Sequence, residues 1–302
     1  MQKKVVVTGA TGFIGSRLCA ALKDKGYEVI AVTRKKTGSC SIFERKYFCA
    51  EWNVADTFID SAFAVINLAG ENIGSGLWND EKRQSILRSR LEAGEMIVEA
   101  VERAAVKPRV LIQASASGYY GQNEAGGPVE ESAAPGNSFL ADVCRKWEDS
   151  TLEAEAMGVR RVITRFAPVI GNGGGFLRAA ETPFKFFLGG VLGRQDRPFP
   201  WVHVNDAVSA IIFLMEDDGA SGPVNICAPE MKNSGEFYRE LGKALKRPVW
   251  LPVPDLFLKA LPAGMGQELF INTCHMSCKK LLGLGFKFNY GELASAMKEI
   301  YG

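Results

Sequence analysis

The stretch Val5–Gly15, VVVTGATGFIG, decides the fold. A run of valines ends in three glycines spaced three apart, Gly9, Gly12 and Gly15, and a helical pattern begins at Phe13. The first glycine permits a tight turn, the second lets the backbone approach a pyrophosphate, and the third lets the helix pack closely on the strand. A strand, a glycine turn and a helix in this order predict a dinucleotide-binding βα unit.

Strand and helix patterns alternate through the first 170 residues. Strands are predicted at Lys4–Thr8, Glu28–Thr33, Tyr47–Ala50, Ala64–Leu68, Val110–Ala114 and Val159–Phe166. Helices are predicted at Phe13–Lys25, at Asn79–Ala104, and from Asn137 or Ser138 to Met157. Such alternation is typical of right-handed crossovers, and it predicts an α/β fold with a doubly wound parallel sheet.

The alternation breaks after Pro168, which divides the chain into residues 1–170 and a smaller C-terminal substrate lobe, 171–302. A helix at Asn205–Met215 and a strand at Pro223–Cys227 lead us to expect that residues 201–228 pack back on the first domain. A last helix is predicted at Tyr290–Tyr301. The lobe holds an aromatic cluster that we expect in its core, with a pocket wall as the alternative: Phe176, Phe184, Phe186, Phe187, Phe199 and Trp201.

Composition excludes several classes of function. The 302 residues are 47% apolar and 23% charged with a net charge of +2, so neither a nucleic-acid partner nor a membrane partner is expected. Seven scattered cysteines predict neither a disulfide framework nor a metal site. The start is too short and too structured for a signal peptide, and no apolar run reaches the ~18 residues of a membrane span. We therefore expect a reduced, cytoplasmic protein.

Five motifs spread over the chain carry a resemblance to a known family. They are TGATGFIG at Thr8–Gly15, NLAG at Asn67–Gly70, SASGYYG at Ser115–Gly121, RFAPVIG at Arg165–Gly171 and WVHVND at Trp201–Asp206. The sequence resembles the extended, nucleotide-sugar epimerase-like branch of the short-chain dehydrogenase/reductase superfamily. Within that branch it is similar to the "epimerase family proteins" of unknown substrate. The resemblance implies a Rossmann fold and a dinucleotide cofactor.

The resemblance also implies where the cofactor binds. The implied contacts are Gly9, Thr11, Gly12, Phe13, Ile14, Gly15, Leu68, Ala69, Gly70, Ser115, Pro168 and Val169. After the second strand, Arg34 stands where an acidic residue would accept the ribose hydroxyls of NAD. A guanidinium there would instead bind a 2′-phosphate, which favours NADP(H), unless Arg34 belongs to a solvated loop.

The catalytic residues that the superfamily uses are missing. A tyrosine acid/base and a lysine four residues later are replaced by Phe139 and Val143, and phenylalanine has no proton to give. The serine position holds Ala116, and the asparagine position holds Arg90. Other residues must supply the proton, or the protein binds its cofactor without the usual turnover.

Nearby side chains give the remaining candidates. We assign Ser115, Tyr120 and Arg90 as candidate catalytic residues, with Tyr119 as an alternative acid. Candidate substrate-binding residues are Asn72, Ser117 and His203, and Trp78 and Lys82 could line the same pocket. The alternatives are structural: packed tyrosines, a buried structural imidazole, and a solvated helix face for Lys82 and Arg90.

Two hypotheses of function follow. The first is an NADP(H)-dependent oxidoreductase acting on a small carbonyl or hydroxyl compound, and the second is a non-catalytic NADP(H)-sensing regulatory protein. The missing tyrosine and lysine favour the second, and the cofactor turns fit either. The sequence leaves a homodimer open.

Overall fold

The computed structural model describes residues 2–33, 47–52, 55–122 and 127–302. Its strands are β1 Lys4–Thr8, β2 Glu28–Thr33, β3 Phe48–Glu51, β4 Ala64–Asn67, β5 Val110–Ala116, β6 Arg160–Phe166, β7 Val169–Gly171, β8 Pro198–Phe199, β9 Val202–His203, β10 Gly222–Ile226 and β11 Lys232–Asn233. Its helices are α1 Phe13–Asp24, α2 Ala55–Ile59, α3 Asp80–Arg103, α4 Phe139–Asp149, α5 Glu153–Ala156, α6 Gly175–Lys185, α7 Val204–Glu216, α8 Ser234–Leu245, α9 Asp255–Lys259, α10 Lys279–Gly283 and α11 Leu293–Tyr301. No helix in these ranges is long and apolar enough to cross a membrane.

The main sheet contains seven of the described strands, all parallel, in the order β10-β6-β5-β4-β1-β2-β3. β1 lies between β2 and β4, with Thr8 opposite both Val32 and Asn67. The strand order reverses there, and in open α/β sheets the crevice beyond the carboxyl ends of such strands binds ligands. The predicted doubly wound α/β fold is confirmed.

Alternate residues of each strand pack on opposite faces of the sheet. Val5 and Val7 join the apolar core that includes residues of α1 and α7, whereas Val6 joins the core that includes residues of α3. All three valines are fully buried. Burial on both faces explains why the strand is a continuous apolar run rather than an alternating one.

The C-terminal residues form a second core around α6, α8 and α11. Phe176, Phe184, Phe199 and Trp201 belong to it or pack against it, as predicted. The expectation was wrong for Phe186 and Phe187, which are 71% and 55% exposed on the turn after α6.

The strand β10 returns to the main sheet beside β6, as expected. The preceding helix α7 begins one residue earlier than predicted, and its N-cap is His203. The helix predicted to reach Met157 ends at Asp149, and the chain turns there before the short α5. The division of the chain at residue 170 stays a prediction.

Candidate active site

The glycine turn brings two loops of the sheet edge into contact. Gly9 has φ of +66°, and a Cβ placed on it would lie 2.5 Å from the carbonyl oxygen of Leu68. A Cβ on Gly15 would lie 2.2 Å from the carbonyl oxygen of Gly9. Both positions therefore require glycine, because any side chain would separate the turn from α1 or from residues 68–70.

The N-terminus of α1 is left open to a ligand. Its N-cap is the exposed Gly12, no side chain caps it, and no acidic residue lies in its first turn. By contrast, Asn79, Ser138 and Asn233 cap the starts of α3, α4 and α8 with side-chain hydrogen bonds. First-turn amides have no intrahelical acceptor, so the amides that follow Gly12 suit an anion. Thr11 is exposed beside this turn, and Ile14 is half-buried.

A buried polar ladder fixes the loop that faces these glycines. The Thr8 hydroxyl donates to Asn67 Oδ1 at 2.7 Å, and Asn67 Nδ2 donates to Gln113 Oε1 at 2.9 Å. Asn67 Oδ1 also accepts from the backbone N–H of Ala69 at 3.2 Å. The ladder runs from the ends of β1 and β4 to the middle of β5, and it holds the loop after β4 through the Ala69 amide. Sequence reasoning missed Gln113, although a glutamine inside a buried strand is itself a signal.

Phe13 connects the glycine turn to the start of α6. Its ring occupies a slot of glycines: a Cβ on Gly174 would lie 2.2 Å from it, and one on Gly175 2.7 Å from it. The Arg17 guanidinium covers the ring at 4.4 Å and donates to the backbone oxygen of Asn172 at 2.5 Å. The start of α6 is therefore in direct contact with α1.

Two further implied cofactor contacts, Pro168 and Val169, lie at the same edge. Pro168 follows β6, and Val169 begins β7, which pairs with β9. The carbonyl oxygen of Val169 would be 2.3 Å from a Cβ on Gly175, so this turn also contacts the start of α6.

The guanidinium of Arg90 lies beside the turn after β4. Its Cζ would be 3.0 Å from a Cβ on Gly70, and its guanidinium lies 4.8 Å from the centroid of the Trp147 ring. Nη1 donates to the backbone oxygens of Ile86 at 2.8 Å and Glu71 at 3.2 Å. Nε and Nη2 donate to no other described residue. Burial lowers the pKa of Arg90, but an arginine remains charged.

Ser115 and Tyr120 face inward, in a network around one buried ion pair. Arg165 binds Glu148 with two hydrogen bonds, at 2.9 and 2.8 Å. Ser115 donates to Glu148 at 2.6 Å, and Tyr120 donates to Asn225 at 2.6 Å while accepting from Arg165. Burial raises the pKa of Tyr120 to about 12, against the lowering effect of Arg165. Both hydroxyls already donate hydrogen bonds within the protein. In this arrangement they do not offer a proton to a substrate.

Tyr119 and Ser117 differ from this pair. The ring of Tyr119 lies under the Arg165 guanidinium at 3.5 Å. Ser117 begins a 3₁₀ turn at the end of β5, is half-buried, and makes no side-chain hydrogen bond with the described residues. The hydroxyls of Ser117 and Tyr119 are therefore the two in the SASGYYG motif that form no hydrogen bond with another described residue.

An apolar cluster occupies the place of the missing tyrosine and lysine. Val143 is 2% exposed and packs with Trp78, Ile86 and Leu140. Phe139 packs against this cluster, with its ring edge-on to Trp78 at 5.7 Å and below the Arg83 guanidinium at 4.2 Å. Sequence reasoning found the two substitutions but missed that they form a packed unit.

The side chains of the remaining substrate candidates are largely bound to other groups of the protein. His203 is buried; its Nδ1 accepts from the Asn205 amide, and its Nε2 lies 2.9 Å from Glu299. Asn72 is exposed, and its Oδ1 accepts from the amide of Gly74. Lys82 is paired with Glu71 at 2.7 Å. Arg34 lies outside the described residues.

The comparisons with known proteins agree with this geometry. The model of the NAD dependent epimerase/dehydratase family matches residues 5–227, and the chain belongs to that family. As the resemblance implied, it is similar to proteins called epimerase family proteins.

Two curated relatives span almost the whole chain. One is "Epimerase family protein SDR39U1 homolog, chloroplastic" from Arabidopsis thaliana, 36% identical over 99% of this chain and 87% of that protein. Another is "Epimerase family protein YfhF" from Bacillus subtilis, 33% identical over 98% of this chain and 97% of that protein. Since one relative's name places it in the chloroplast, a cytoplasmic location stays a prediction.

Solved structures share the fold. The human epimerase family protein SDR39U1, crystallised with NADPH, superposes with a TM-score of 0.88 at 29% identity, over 99% of both chains. A UDP-N-acetylglucosamine 4-epimerase from Bacillus cereus gives 0.77 at 18% identity, over 99% of this chain and 96% of that one, which shows the fold alone.

Proposed function

We propose that this protein binds NADP(H) at the carboxyl edge of β1, β4, β5 and β6 and transfers hydride to or from a small carbonyl or hydroxyl compound. The observation that carries the proposal is the open start of α1, which faces a second glycine-containing turn fixed by the Thr8–Asn67–Gln113 ladder. The NADPH in the human relative supports the choice of cofactor.

The residues present fit such a cofactor. Gly9 and Gly15 let the turn lie against residues 68–70 and α1, and the amides that follow Gly12 would hold the pyrophosphate. Residues 68–70 would lie along the dinucleotide, and Pro168 and Val169 would contact the nicotinamide. Ser115 would help to position β5 below the site, because its hydroxyl donates a hydrogen bond to Glu148. Arg34 would bind the 2′-phosphate.

The chemistry requires a group that stabilises a developing alkoxide. The bound cofactor supplies the hydride or accepts it. Arg90 has two donors free of other described residues beside Gly70, and we propose that they hydrogen-bond the substrate oxygen in place of the missing tyrosine. The free hydroxyl of Ser117 would bind the substrate or relay a proton from water to the oxygen.

A second candidate function is supported by the apolar cluster. Phe139 and Val143 are packed, and the hydroxyls of Ser115 and Tyr120 are bound within the protein. A protein that binds NADP(H) without turnover could sense the redox state for a partner. Such a protein needs no proton donor at the nicotinamide.

Substitution of Arg90 distinguishes the oxidoreductase from the non-catalytic sensor. We expect wild-type protein loaded with NADPH to lose its 340 nm absorbance when mixed with one class among aldehydes, ketones, keto acids and quinones. Arg90→Met should slow that single turnover about 10²–10³-fold while leaving the Kd for NADPH unchanged. Arg88→Met, on the exposed face of the same helix, is the matched control. Tight NADPH binding without oxidation by any class would favour the sensor.

The cofactor preference has its own test. Arg34→Asp should weaken NADPH binding more than NADH binding, because only NADPH carries the 2′-phosphate. An equal loss for both cofactors would remove the argument from Arg34.

A further inference from the structure

The turn after α6 and the chain around α9 carry an apolar patch on residues 186–188, 250–251 and 256–257, all of them phenylalanine, leucine or tryptophan. Phe186 is 71% exposed, Trp250 62% and Leu256 76%. Seven of the twelve large apolar side chains that are exposed among the described residues belong to this apolar patch. Isolated apolar side chains are ordinary on a protein surface, but such a concentration of them marks a surface that binds a partner.

Hydrogen bonds hold the segments of the apolar patch together. The indole N–H of Trp250 donates to the backbone oxygen of Phe187 at 2.9 Å. The backbone amides of residues 250 and 251 donate to the backbone oxygen of Gly189 at 3.1 and 3.2 Å. The pairing continues at Val253, whose amide donates to the backbone oxygen of Val191 at 2.9 Å, and α9 begins two residues later. The apolar patch therefore lies on one paired stretch of backbone rather than on separate loops.

Cations border the apolar patch. The guanidinium of Arg247 lies 4.4 Å from the centroid of the Phe187 ring, and it forms an ion pair with no described carboxylate. Lys246 and Lys259 are exposed, and neither of them forms an ion pair with a described residue. Three positive charges therefore remain uncompensated beside the exposed apolar side chains.

The acidic residues that adjoin the apolar patch in sequence are neutralised. Asp255 binds Arg197 with two hydrogen bonds, one of 2.8 Å, and this guanidinium lowers the pKa of the carboxyl. Glu181 forms an ion pair with Lys185 at 3.1 Å. Neither carboxylate offsets the three cations, so the charge around the apolar patch is positive.

This combination of groups suits the surface of an anionic lipid bilayer. Phenylalanine and leucine side chains enter the boundary between headgroups and acyl chains, tryptophan favours the same interface, and lysine and arginine attract anionic headgroups. A second copy of this chain fits less well. A twofold interface would pair the apolar patch with itself and bring the cations of both copies to one rim, where they repel.

We infer that the apolar patch inserts into the headgroup region of an anionic lipid bilayer, with Lys246, Arg247 and Lys259 adding electrostatic attraction. The net charge of +2 did not predict such a partner, because it averages over the whole surface and these cations are concentrated at one place. The inference is independent of the proposed reaction.

Sedimentation with sucrose-loaded vesicles tests this on the full chain. We expect the protein to pellet with vesicles of phosphatidylcholine that contain about one-third phosphatidylglycerol, and to stay in the supernatant with phosphatidylcholine alone. Raising NaCl from about 0.05 to about 0.5 M should weaken the binding about tenfold, because salt screens the headgroup charge. Equal binding to both kinds of vesicle, or binding to neither, would overturn the inference.

Substitutions of apolar residues locate the contact. Phe186→Ser and Leu256→Ser, from the two segments, should each weaken vesicle binding about tenfold, because each removes an apolar side chain from the bilayer. Leu152→Ser, at a half-exposed position between α4 and α5, is the matched control and should bind as the wild type does. Since these side chains are exposed, the variants should keep the stability of the wild type. A loss as large for Leu152→Ser as for the other two contradicts the inference.

Substitutions of charged residues test the electrostatic part. Lys246→Gln combined with Lys259→Gln should weaken binding to the anionic vesicles about tenfold or more. Arg88→Gln combined with Arg103→Gln removes the same charge from exposed positions of α3 and is the control. An equal effect of the two pairs would show that net charge alone drives the binding.

Analytical ultracentrifugation distinguishes the bilayer from a second copy of the chain. We expect the wild type and Phe186→Ser to sediment as the same species over a range of concentrations. A wild-type dimer that Phe186→Ser dissociates would assign the apolar patch to self-association and overturn the inference.

Discussion

Arg165 is a buried charge whose donors are used by several parts of the fold. It binds both oxygens of Glu148 from α4, and it donates to the Tyr120 hydroxyl and to the backbone oxygen of Glu131. Its side chain is 4% exposed and that of Glu148 is 8% exposed. A pair so enclosed is stabilising only as long as both partners are present.

Removing one partner should therefore be costly. Glu148→Gln leaves the Arg165 charge buried without its counter-ion, and we expect the free energy of unfolding to fall by about 3–5 kcal/mol in urea denaturation. Asp149→Asn removes a neighbouring carboxylate whose ion pair with Arg145 is exposed, so it should cost less than ~1 kcal/mol. Similar losses for the two variants would show that Arg165 does not depend on Glu148.

At the scale of elements, the sequence predicted the seven strands of the main sheet and the helices α1, α3 and α7 within two residues at each end, but it gave no range for α6 or α8. It could not predict the polar ladder or the Arg165 network, because their members lie on strands that are distant in sequence. The same holds for Phe139 and Val143. Their identities were evident, but their partners Trp78 and Ile86 come from another part of the chain.

The apolar cluster gives a prediction about restoring the usual residues. Val143→Lys places an ammonium group among Trp78, Ile86 and Leu140, and we expect a loss of about 3 kcal/mol or more in the free energy of unfolding. Phe139→Tyr alone should be tolerated, because Phe139 is only half-buried. Chemical denaturation of both variants checks this; a stable Val143→Lys protein would mean that the position opens into the site.

The contact between α7 and α11 makes the stability depend on pH. Burial lowers the pKa of His203, against the raising effects of Glu299 and Asp206, and Arg17 adds to the lowering. The unfolded chain therefore binds the proton first as the pH falls below about 6.5, and stability decreases from there down to the folded pKa. His203→Asn, which keeps an acceptor for the α7 cap, should lose less stability between pH 7.5 and 5.5 than the wild type. Equal losses in thermal denaturation would assign the acid sensitivity to other groups.

At the scale of the whole molecule, a buried carboxylate joins the segment before α11 to the start of α7. Asp206, fully buried at the start of α7, accepts from the amides of Asn289 and Tyr290 at 2.9 and 2.8 Å. Asp206 is the last residue of the WVHVND motif. The partner segment could not be predicted, because its backbone amides leave no mark in the sequence.

Asp206→Ala should loosen this junction. Two buried amides lose their acceptor, and we expect about 3 kcal/mol less stability together with faster proteolysis before α11. Asp217→Ala, at the other end of α7, removes a single hydrogen bond to the amide of Gly219 and serves as the control. Unchanged proteolysis of Asp206→Ala would show that other contacts, such as that of the Glu230 carboxylate with the Leu293 amide and the apolar core, hold the C-terminal segment.

The glycine slot around Phe13 has an evolutionary consequence. Gly174 has an extended backbone that any residue can adopt, so only the Phe13 ring, 2.2 Å from its absent Cβ, forbids a side chain there. Position 174 should therefore vary together with position 13: homologues with an aromatic residue at 13 should keep glycine, and those with a small residue should have drifted to alanine or serine. Gly175, with φ of +63°, should stay fixed in both groups.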